Sequence, residues 1–245
     1  MKRYIAYFDF LGYKQFILNN EQEYIRTRIL QILRDIEAAL GQGEYKEAKH
    51  GIIADISKSN LHCLNISDTI ILWTKDDSFE SFQEILNVSF TFNWRQVRLN
   101  FPIRGALVYD EIDLISHYNE TDKGSSYNIN SIFGKGLVNA HLKAECLDLA
   151  GCVIDSSIIE KIKEFEGWED VVNKFASCYD VPYKDSKTVY EYILRLYSNE
   201  TINEEVFNNT KPDIVGAFSC DNKGMSPRAQ QILDNTLIFL ESFVR

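Results

Sequence analysis

Apolar and polar positions follow two different spacings along the chain, which predict strands and helices in turn. A mostly apolar run from Tyr4 to Phe10, ended by Leu11 and Gly12, predicts a buried strand. From Glu21 to Leu40 apolar residues recur every three or four positions, which predicts an amphipathic helix. Gly41 directly after this run is a typical helix stop.

Two further apolar runs predict a β-hairpin. Leu61 to Ile66 and Thr69 to Thr74 are separated only by Ser67-Asp68, which is the spacing of a tight turn. The polar residues Asp76 to Ser78 then form a predicted cap for a second helix. After Pro102 the segment from Ile103 to Tyr109 predicts another strand.

The middle of the chain predicts one more loop, helix and pair of strands. A polar loop from His117 to Ser126 leads to a predicted strand near Asn128 to Phe133. Gly134-Lys135-Gly136 opens a predicted helix from about Leu137 to Leu149, and Cys152 to Asp155 predicts a short strand. The predicted order is therefore β-α-β-β-α-β followed by β-α-β.

This order predicts an α+β fold with a ferredoxin-like core, in which helices cover one face of a mainly antiparallel sheet. We assign residues 1–167 to this core. From Trp168 the pattern changes: Tyr190 to Leu196 and Pro227 to Phe243 predict helices, and Asn199 to Pro212 predicts a loop. Residues 168–245 are therefore predicted to be a mostly helical C-terminal extension packed on the core.

Composition narrows the class of protein. Of 245 residues, 45% are apolar and 25% charged, which is typical of a soluble globular protein. No run approaches the roughly 18 apolar residues of a membrane span, and the N-terminus lacks a signal-peptide pattern, so we expect a cytoplasmic protein without a membrane partner. The 5 cysteines, without C-x-x-C spacing, are expected to be reduced core thiols.

The net charge of -10 argues against a nucleic-acid polymer as partner, because such binding depends on many contacts from Lys and Arg to phosphates. A small phosphorylated substrate stays possible if cations are gathered locally. The candidates are Arg104, Lys135 and Lys143, together with bound metal.

Two aspartates stand where core residues are expected. Asp9 ends the first predicted strand between two phenylalanines, and Asp68 lies in the hairpin turn. A lone buried carboxylate is costly, so Asp9 caps the next helix, accepts backbone amides or binds metal, while Asp68 can be an ordinary turn residue. If the first strand lies beside the hairpin, the two carboxylates meet and repel each other unless a cation compensates them. Such oxygen ligands suit Mg²⁺ or Mn²⁺.

Four segments resemble, in the same order, the landmarks of class III nucleotide cyclases: FDFLGY, ISDTIIL, PIRGALVY and GKGLVNAHLKAE. The resemblance covers about residues 4–155, so residues 1–167 would be a cyclase catalytic domain. It implies two metal ions held by Asp9, Asp68 and the backbone carbonyl of Phe10. It also implies that the backbone amides of Leu11 and Gly12 face the phosphates of a nucleoside triphosphate.

The same resemblance implies roles for two residues of the predicted helix after Gly136. Asn139 matches the asparagine that contacts the ribose, and Lys143 stands where the family has an arginine that stabilises the transition state. Lysine keeps the charge but lacks the planar fork of arginine, which leaves open another stabiliser or weakened catalysis. The family's sites lie between two subunits, which implies a homodimer. Arg104 is a further candidate for a phosphate contact, with a solvated strand-edge arginine as the alternative.

The positions that would read the base differ from those of purine cyclases. Leu64, four residues before Asp68, and Ile132, seven residues before Asn139, replace the polar readers of that family. Selectivity would then come from other contacts, such as Asn65. FDFLG followed by SDT, without purine readers, is similar to the pyrimidine cyclases of bacterial Pycsar antiphage systems. This implies conversion of UTP or CTP to a 3′,5′-cyclic monophosphate that serves as a messenger in antiphage defence.

Two other functions stay open at this point. A cyclase-like module that binds a nucleotide or a partner without turnover would also account for Lys143. A phosphohydrolase built on FDFLG is the third possibility, although that motif lacks a D-x-D pair. The 4 histidines form no triad pattern with Ser or Cys, and Gly134-Lys135-Gly136 is not a P-loop.

Overall fold

The computed structural model describes residues 1–245 apart from the side chain of Asp185. Its strands are β1 (Lys2–Phe10), β2 (Tyr45–Ala48), β3 (Gly51–Ala54), β4 (Leu61–Ile66), β5 (Thr69–Thr74), β6 (Ile103–Glu111), β7 (Asp113–Glu120), β8 (Ser126–Phe133), β9 (Gly151–Ile154), β10 (Ala176–Tyr183) and β11 (Lys187–Leu194). Its α-helices are α1 (Tyr13–Leu18), α2 (Gln22–Leu40), α3 (Phe79–Leu99), α4 (Lys135–Cys146), α5 (Ser156–Ile162), α6 (Trp168–Phe175), α7 (Glu204–Ser219) and α8 (Pro227–Glu241).

Seven strands form one sheet in the order β10-β11-β9-β6-β1-β5-β4. Neighbouring strands are antiparallel except β6 and β9, which run parallel. The four strands β6-β1-β5-β4, connected through α2 and α3, form the β-α-β-β-α-β unit of a ferredoxin-like core. The predicted α+β class with a mainly antiparallel sheet is confirmed.

β1 lies at the centre of this unit and is buried on both faces, as its nearly continuous apolar sequence requires. Phe8 points towards α3, where its ring contacts Phe92 with centroids 5.2 Å apart. Tyr7 points to the opposite face and meets His141 of α4. The prediction that helices cover one face is therefore wrong, because α4 packs on the second face.

Several predicted elements are confirmed closely. The hairpin has its predicted bounds, and Ser67 in its turn has the positive φ of 56° that tight hairpin turns require. The long helices α2 and α3 also match, and the Ser78 hydroxyl caps α3 by accepting from the Ser81 amide.

The predicted polar loop from His117 to Ser126 is only partly correct. Half of it belongs to β7 and β8, which pair into a separate two-stranded ribbon, and residues 121–125 form the turn between them. The predicted strand near Asn128 to Phe133 is confirmed as part of β8. Both faces of this ribbon are largely exposed, so its strands lack the apolar alternation by which a half-buried strand is recognised.

The C-terminal extension is less helical than predicted. The predicted helix from Tyr190 to Leu196 is mostly β11, which pairs with β10 and, through Tyr192 opposite Ile154, joins the core sheet. The predicted loop from Asn199 to Pro212 contains the first half of α7, which is capped by Asn203 and accommodates Pro212. The helix α8 is confirmed. The division of the chain at residue 168 stays a prediction.

The cysteines are free, as expected, but only Cys152 lies in the core. The other four are exposed, so their predicted core position is wrong: Cys63, Cys146, Cys178 and Cys220. No described helix is long and apolar enough to cross a membrane.

Candidate active site

Asp9 and Asp68 lie at the same end of the central sheet. In the pairing of β1 with β5, Asp9 lies opposite Thr69, the residue that follows Asp68. The Phe10 amide donates to the backbone carbonyl of Asp68 at 3.0 Å, which ties the hairpin turn to the end of β1. The structure thus brings together the two aspartates that the sequence singles out.

The protein already pairs one of these carboxylates. Arg104 Nη2 donates to Asp9 Oδ2 at 2.8 Å, and the Asp9 side chain is 22% exposed. Burial raises the pKa of Asp9; the Arg104 guanidinium opposes this rise, and the negative charge of Asp68 adds to it. Asp9 does not cap the following helix. The N-cap position of α1 is Gly12, and no side chain forms a capping hydrogen bond there.

Asp68 is only half-buried, and among the described residues no side chain or amide donates to its carboxylate. No third acidic, His or Cys side chain joins the two aspartates into a larger group within the part of the chain that the structure describes. The oxygen donors present are therefore the two carboxylates and nearby backbone carbonyls such as that of Phe10. This set fits Mg²⁺ or Mn²⁺, which bind through a few carboxylates and leave other positions to water and phosphate.

The turn after Asp9 differs in part from the prediction. The Leu11 amide donates to the Pro102 carbonyl at 2.8 Å, so it is not available to a phosphate, which corrects its predicted role. Gly12 has a φ of 80°, a left-handed conformation that suits glycine, and it begins α1. Both residues line a cavity of about 510 Å³ beside Arg104.

Arg104 is not a solvated strand-edge residue. It lies on β6, which neighbours β1 inside the sheet, and its side chain is 14% exposed. Besides the ion pair with Asp9, its Nη1 donates to the Glu145 carbonyl at the end of α4, at 2.9 Å. Its Nε is buried and has no hydrogen-bond partner among the side chains and backbone groups that the structure describes.

Asn139 does not contact the aspartates within one chain. Its Nδ2 donates to Asp110 Oδ2 at 3.0 Å, and Asp110 pairs with Arg3 in the register of β1 with β6. Arg3 and Asp9 are six residues apart on β1 (9 − 3), or about 20 Å at the rise of an antiparallel strand. Lys135, which opens α4, lies at that far end too. The structure therefore does not bring Asn139 to Asp9 in the same chain.

Lys143 is held in an ion-pair network. Its Nζ lies 2.8 Å from Asp155 Oδ2 and 2.6 Å from Glu191 Oε2, which β11 supplies. Burial lowers the pKa of Lys143, but the hydrogen bonds to the two carboxylates outweigh burial and leave the pKa raised. In one chain Lys143 therefore contacts these carboxylates, a partnership that no pattern in the sequence indicated.

The three residues considered for base selection lie in different places. Leu64 is on β4 opposite Ile71, and the Asn65 amide donates across the hairpin to the Thr69 carbonyl at 3.1 Å. Ile132 is on β8 opposite Leu114, in the separate ribbon. Leu64 and Ile132 both pack partly against the core.

Three cationic residues near the site were not among the candidates predicted from the sequence. Lys184, Lys223 and Arg228 line the same cavity as Arg104, and all three belong to the extension. Their only sequence signal was the Ser226-Pro227 start of α8, which places Arg228 in its first turn.

No protein-family model and no curated protein matches the chain. Among solved structures, the chain is similar to the catalytic core of a rhodopsin-guanylyl cyclase with converted specificity in complex with ATPαS. That match has 10% identity and a TM-score of 0.47, and it covers 79% of this chain and 94% of the other. It is also similar to a dimeric guanylyl cyclase domain of the RhoGC fusion protein from the aquatic fungus Blastocladiella emersonii. There the identity is 10% and the TM-score 0.49, with 79% and 93% covered. Such distant likenesses say nothing about substrate or mechanism.

Proposed function

We propose that this chain is a metal-dependent nucleotide cyclase that converts UTP or CTP into the 3′,5′-cyclic monophosphate and diphosphate. One observation carries the proposal: the pairing of β1 with β5 brings Asp9 and Asp68 together at one end of the sheet. These residues lie in two of the four segments that resemble class III cyclases, and the other two segments follow in the same order.

The proposed reaction is a displacement at the α-phosphorus. The 3′-hydroxyl of the ribose loses its proton to water and its oxygen forms a bond to phosphorus, while the bond to the bridging oxygen breaks and diphosphate leaves with the electron pair. Asp9, Asp68 and the Phe10 carbonyl would hold two Mn²⁺ or Mg²⁺ ions, which favour loss of the hydroxyl proton and stabilise the leaving diphosphate. Arg104 would keep Asp9 ionised against the effect of its burial.

We further propose that each site is shared by two copies of the chain. Within one chain the Asn139 amide donates to Asp110, which lies opposite Arg3 towards the other end of β1 from Asp9, so Asn139 does not contact the aspartates. Beside Asn139 on α4, Val138 is 55% and Leu142 is 52% exposed, and such exposed apolar residues favour contact with a partner. In the proposed homodimer, Asn139 of one protomer meets Asp9 and Asp68 of its partner.

The pyrimidine preference rests on Leu64 and Ile132. Neither can form the hydrogen bonds by which a site built for a purine would recognise its base, so a purine would gain little there. Production of a cyclic pyrimidine nucleotide as a messenger in cytoplasmic antiphage defence completes the proposal.

A second candidate is a cyclase-like module that binds a nucleotide without turning it over. The position of Lys143 favours it, because Asp155 and Glu191 hold the ammonium group that would replace the transition-state arginine. Tight nucleoside triphosphate binding without any product, unchanged in Lys143→Arg, is the outcome expected of such a module.

The test is incubation of the purified chain with each of the four nucleoside triphosphates and Mn²⁺ or Mg²⁺, with cyclic products identified by mass spectrometry. We expect cyclic UMP or cyclic CMP, none of it with a chelator present, and none from Asp68→Asn. Absence of a cyclic product from all four substrates would contradict the proposal. A cyclic purine as the main product would contradict only its pyrimidine part.

A further inference from the structure

The cavity beside Asp9 is lined by cations from two parts of the chain. Arg104 comes from the core sheet, whereas Lys184, Lys223 and Arg228 come from the extension. No carboxylate is among the described residues that line it. The carboxylates that pair with the three extension cations lie outside this wall: Glu145, Asp221 and Asp148.

Lys223 is the most buried of these cations, with a side chain only 3% exposed. Its alkyl stem lies against Gly12, where an added Cβ would meet Lys223 Cδ at 3.3 Å. Its ammonium group lies 4.1 Å from the centre of the Phe101 ring. Burial lowers the pKa of Lys223, which means that its surroundings do not fully stabilise the charged ammonium group.

The hydrogen-bond contacts of Lys223 with acceptor atoms are long. Its Nζ is 3.4 Å from Asp221 Oδ2 and 3.5 Å from Cys220 Sγ. The Asp221 carboxylate is committed to closer donors, with Tyr24 Oη at 2.7 Å and Arg28 Nη2 at 2.9 Å. A buried ammonium with three donors is therefore poorly satisfied by the chain alone.

Two arginine nitrogens of the same wall are buried and have no partner in the described part of the chain: Nε of Arg104 and Nη2 of Arg228. Arg228 Nη1 bonds Asp148 Oδ1 at 2.6 Å, so the guanidinium is held in place while Nη2 stays unused. Guanidinium groups fixed in this way are suited to phosphate oxygens.

The turn that presents Lys223 is held firmly against the core. Asp221 and Asn222 both have positive φ values, of 60° and 52°, which residues other than glycine adopt less often. The core compensates this turn, because Asn20 donates to the Asp221 carbonyl at 2.7 Å and Asn19 donates to the Asn222 carbonyl at 2.8 Å. The position of Lys223 is thereby fixed relative to Gly12.

We infer that the C-terminal extension completes the active site: Lys223 and Arg228, with Arg104, bind the phosphate tail of the nucleoside triphosphate and the diphosphate it becomes. This inference rests on the proposed function for the identity of the ligand. A volume of about 510 Å³ is within the usual range of small-molecule sites and leaves room for a triphosphate chain. Leu11 and Gly12, which line the cavity, are two and three residues after Asp9, the aspartate that would bind the metal.

The anion site can be tested without turnover or metal. Inorganic tripolyphosphate is titrated into the full chain in the presence of a chelator, and heat is measured by calorimetry. We expect saturable binding that weakens at least about tenfold in Lys223→Met and in Arg228→Gln, because each loses a charge-assisted hydrogen bond. Lys161→Met removes a lysine outside this cavity and should bind like the wild type.

A matched pair of variants guards against misfolding. Ala229 lines the cavity as the third residue of α8, where Glu or Gln completes a capping box with Ser226. Both Ala229→Glu and Ala229→Gln should therefore fold. Only Ala229→Glu adds a negative charge, and we expect it to weaken tripolyphosphate binding at least about tenfold relative to Ala229→Gln.

The outcomes separate this inference from the proposed function. Tripolyphosphate binding that is the same in Ala229→Glu and Ala229→Gln, and unchanged in a folded Lys223→Met, would overturn the anion site even if the enzyme forms cyclic nucleotides. Binding that depends on Lys223 and on the charge at 229 supports the anion site, and it does so whether or not a cyclic product is found.

Discussion

At the scale of single residues, the two clustered aspartates differ in their hydrogen-bond partners. Asp9 is satisfied by Arg104, whereas the Asp68 carboxylate has no donor among the described residues. Replacing Asp9 would leave Arg104 without its anion, which affects the fold as well as any metal. Asp68 is therefore the better position at which to test metal binding alone.

We predict that Asp68→Asn loses Mn²⁺ binding without losing stability. Mn²⁺ should raise the Tm of the wild type by mass action, and this rise should disappear in Asp68→Asn, whose own Tm should be equal or slightly higher because one repulsive charge is gone. Thermal scans with and without Mn²⁺ measure both. Asp122→Asn, in the exposed turn of the β7–β8 ribbon, should keep the full shift; an undiminished shift in Asp68→Asn would contradict the proposed ligand set.

Lys143 makes a second prediction at this scale. Lys143→Met should lower the free energy of unfolding at pH 7 by about 2 kcal/mol, because it leaves Asp155 and Glu191 half-buried without their cation. Lys161→Met is a matched control, since both lysine side chains are 20% exposed but Lys161 pairs with exposed carboxylates. Lys161→Met should lower the free energy of unfolding by less than about 1 kcal/mol.

The effect of Lys143 should depend on pH in a defined direction. Burial raises the pKa of Asp155, but its bonds from Lys143 and Ser157 outweigh burial and leave the pKa below its ordinary value of 3.8. The stabilisation is therefore present at neutral pH and lost as the pH falls through this lowered pKa. Urea unfolding at about pH 3 and pH 7 should show a smaller difference between wild type and Lys143→Met at the lower pH. An equal difference at both values would contradict the ion-pair account.

The sequence predicts some of these residue contacts and not others, for a physical reason. Asp68 could be placed because the hairpin turn is local, and Asp9 followed from the order of the strands. The Arg104 pair with Asp9 and the Glu191 pair with Lys143 join residues far apart along the chain. Such partners depend on strand order and register, which a polar residue alone does not reveal.

At the scale of elements, the position of α4 depends on two glycines. A Cβ at Gly134 would overlap the Glu111 carbonyl, and a Cβ at Gly136 would overlap the end of Ile5. The Gly134 overlap involves backbone, which cannot move aside as the end of a side chain can. Gly134 also has a φ of 141°, in a region that other residues rarely adopt.

We predict that Gly134→Ala destabilises the protein by about 3 kcal/mol or more, because backbone overlap and backbone strain act together. Gly124→Ala is the control, since Gly124 has a positive φ of 78° but nothing within 4 Å of its added Cβ. It should cost only about 1 to 2 kcal/mol from strain. Equal costs, measured by urea unfolding, would show that close packing of α4 contributes nothing.

The accuracy of the predicted elements follows from how local their causes are. The hairpin and the helices α2 and α3 match because turn residues, caps and a one-sided apolar pattern determine them locally. β7 was missed because it has no buried face, and β11 because its strand state depends on pairing with β9 and β10. Whether such a segment forms a strand depends on the neighbouring strands with which it pairs in the folded protein.

At the scale of the whole molecule, the proposed shared site requires a partner face around α4. We predict that Leu142→Glu shifts the protein from dimer to monomer and lowers cyclisation at least about tenfold, since it places a charge in the core of the interface. Ile238→Glu on α8 is the control, because Ile238 is 55% exposed and Leu142 is 52% exposed. Light scattering and activity assays measure both effects, and a Leu142→Glu protein that remains dimeric would exclude this face.

The most direct measurement asks whether Asp68 and Asn139 act together from different chains. Asp68→Asn and Asn139→Ala, each inactive alone, are mixed in equal amounts and left until subunit exchange is confirmed. Half of the dimers should then be mixed, and each should hold one intact site of two, so about one quarter of wild-type cyclisation should return. No recovery after confirmed exchange, or full activity of Asn139→Ala by itself, would contradict the shared site.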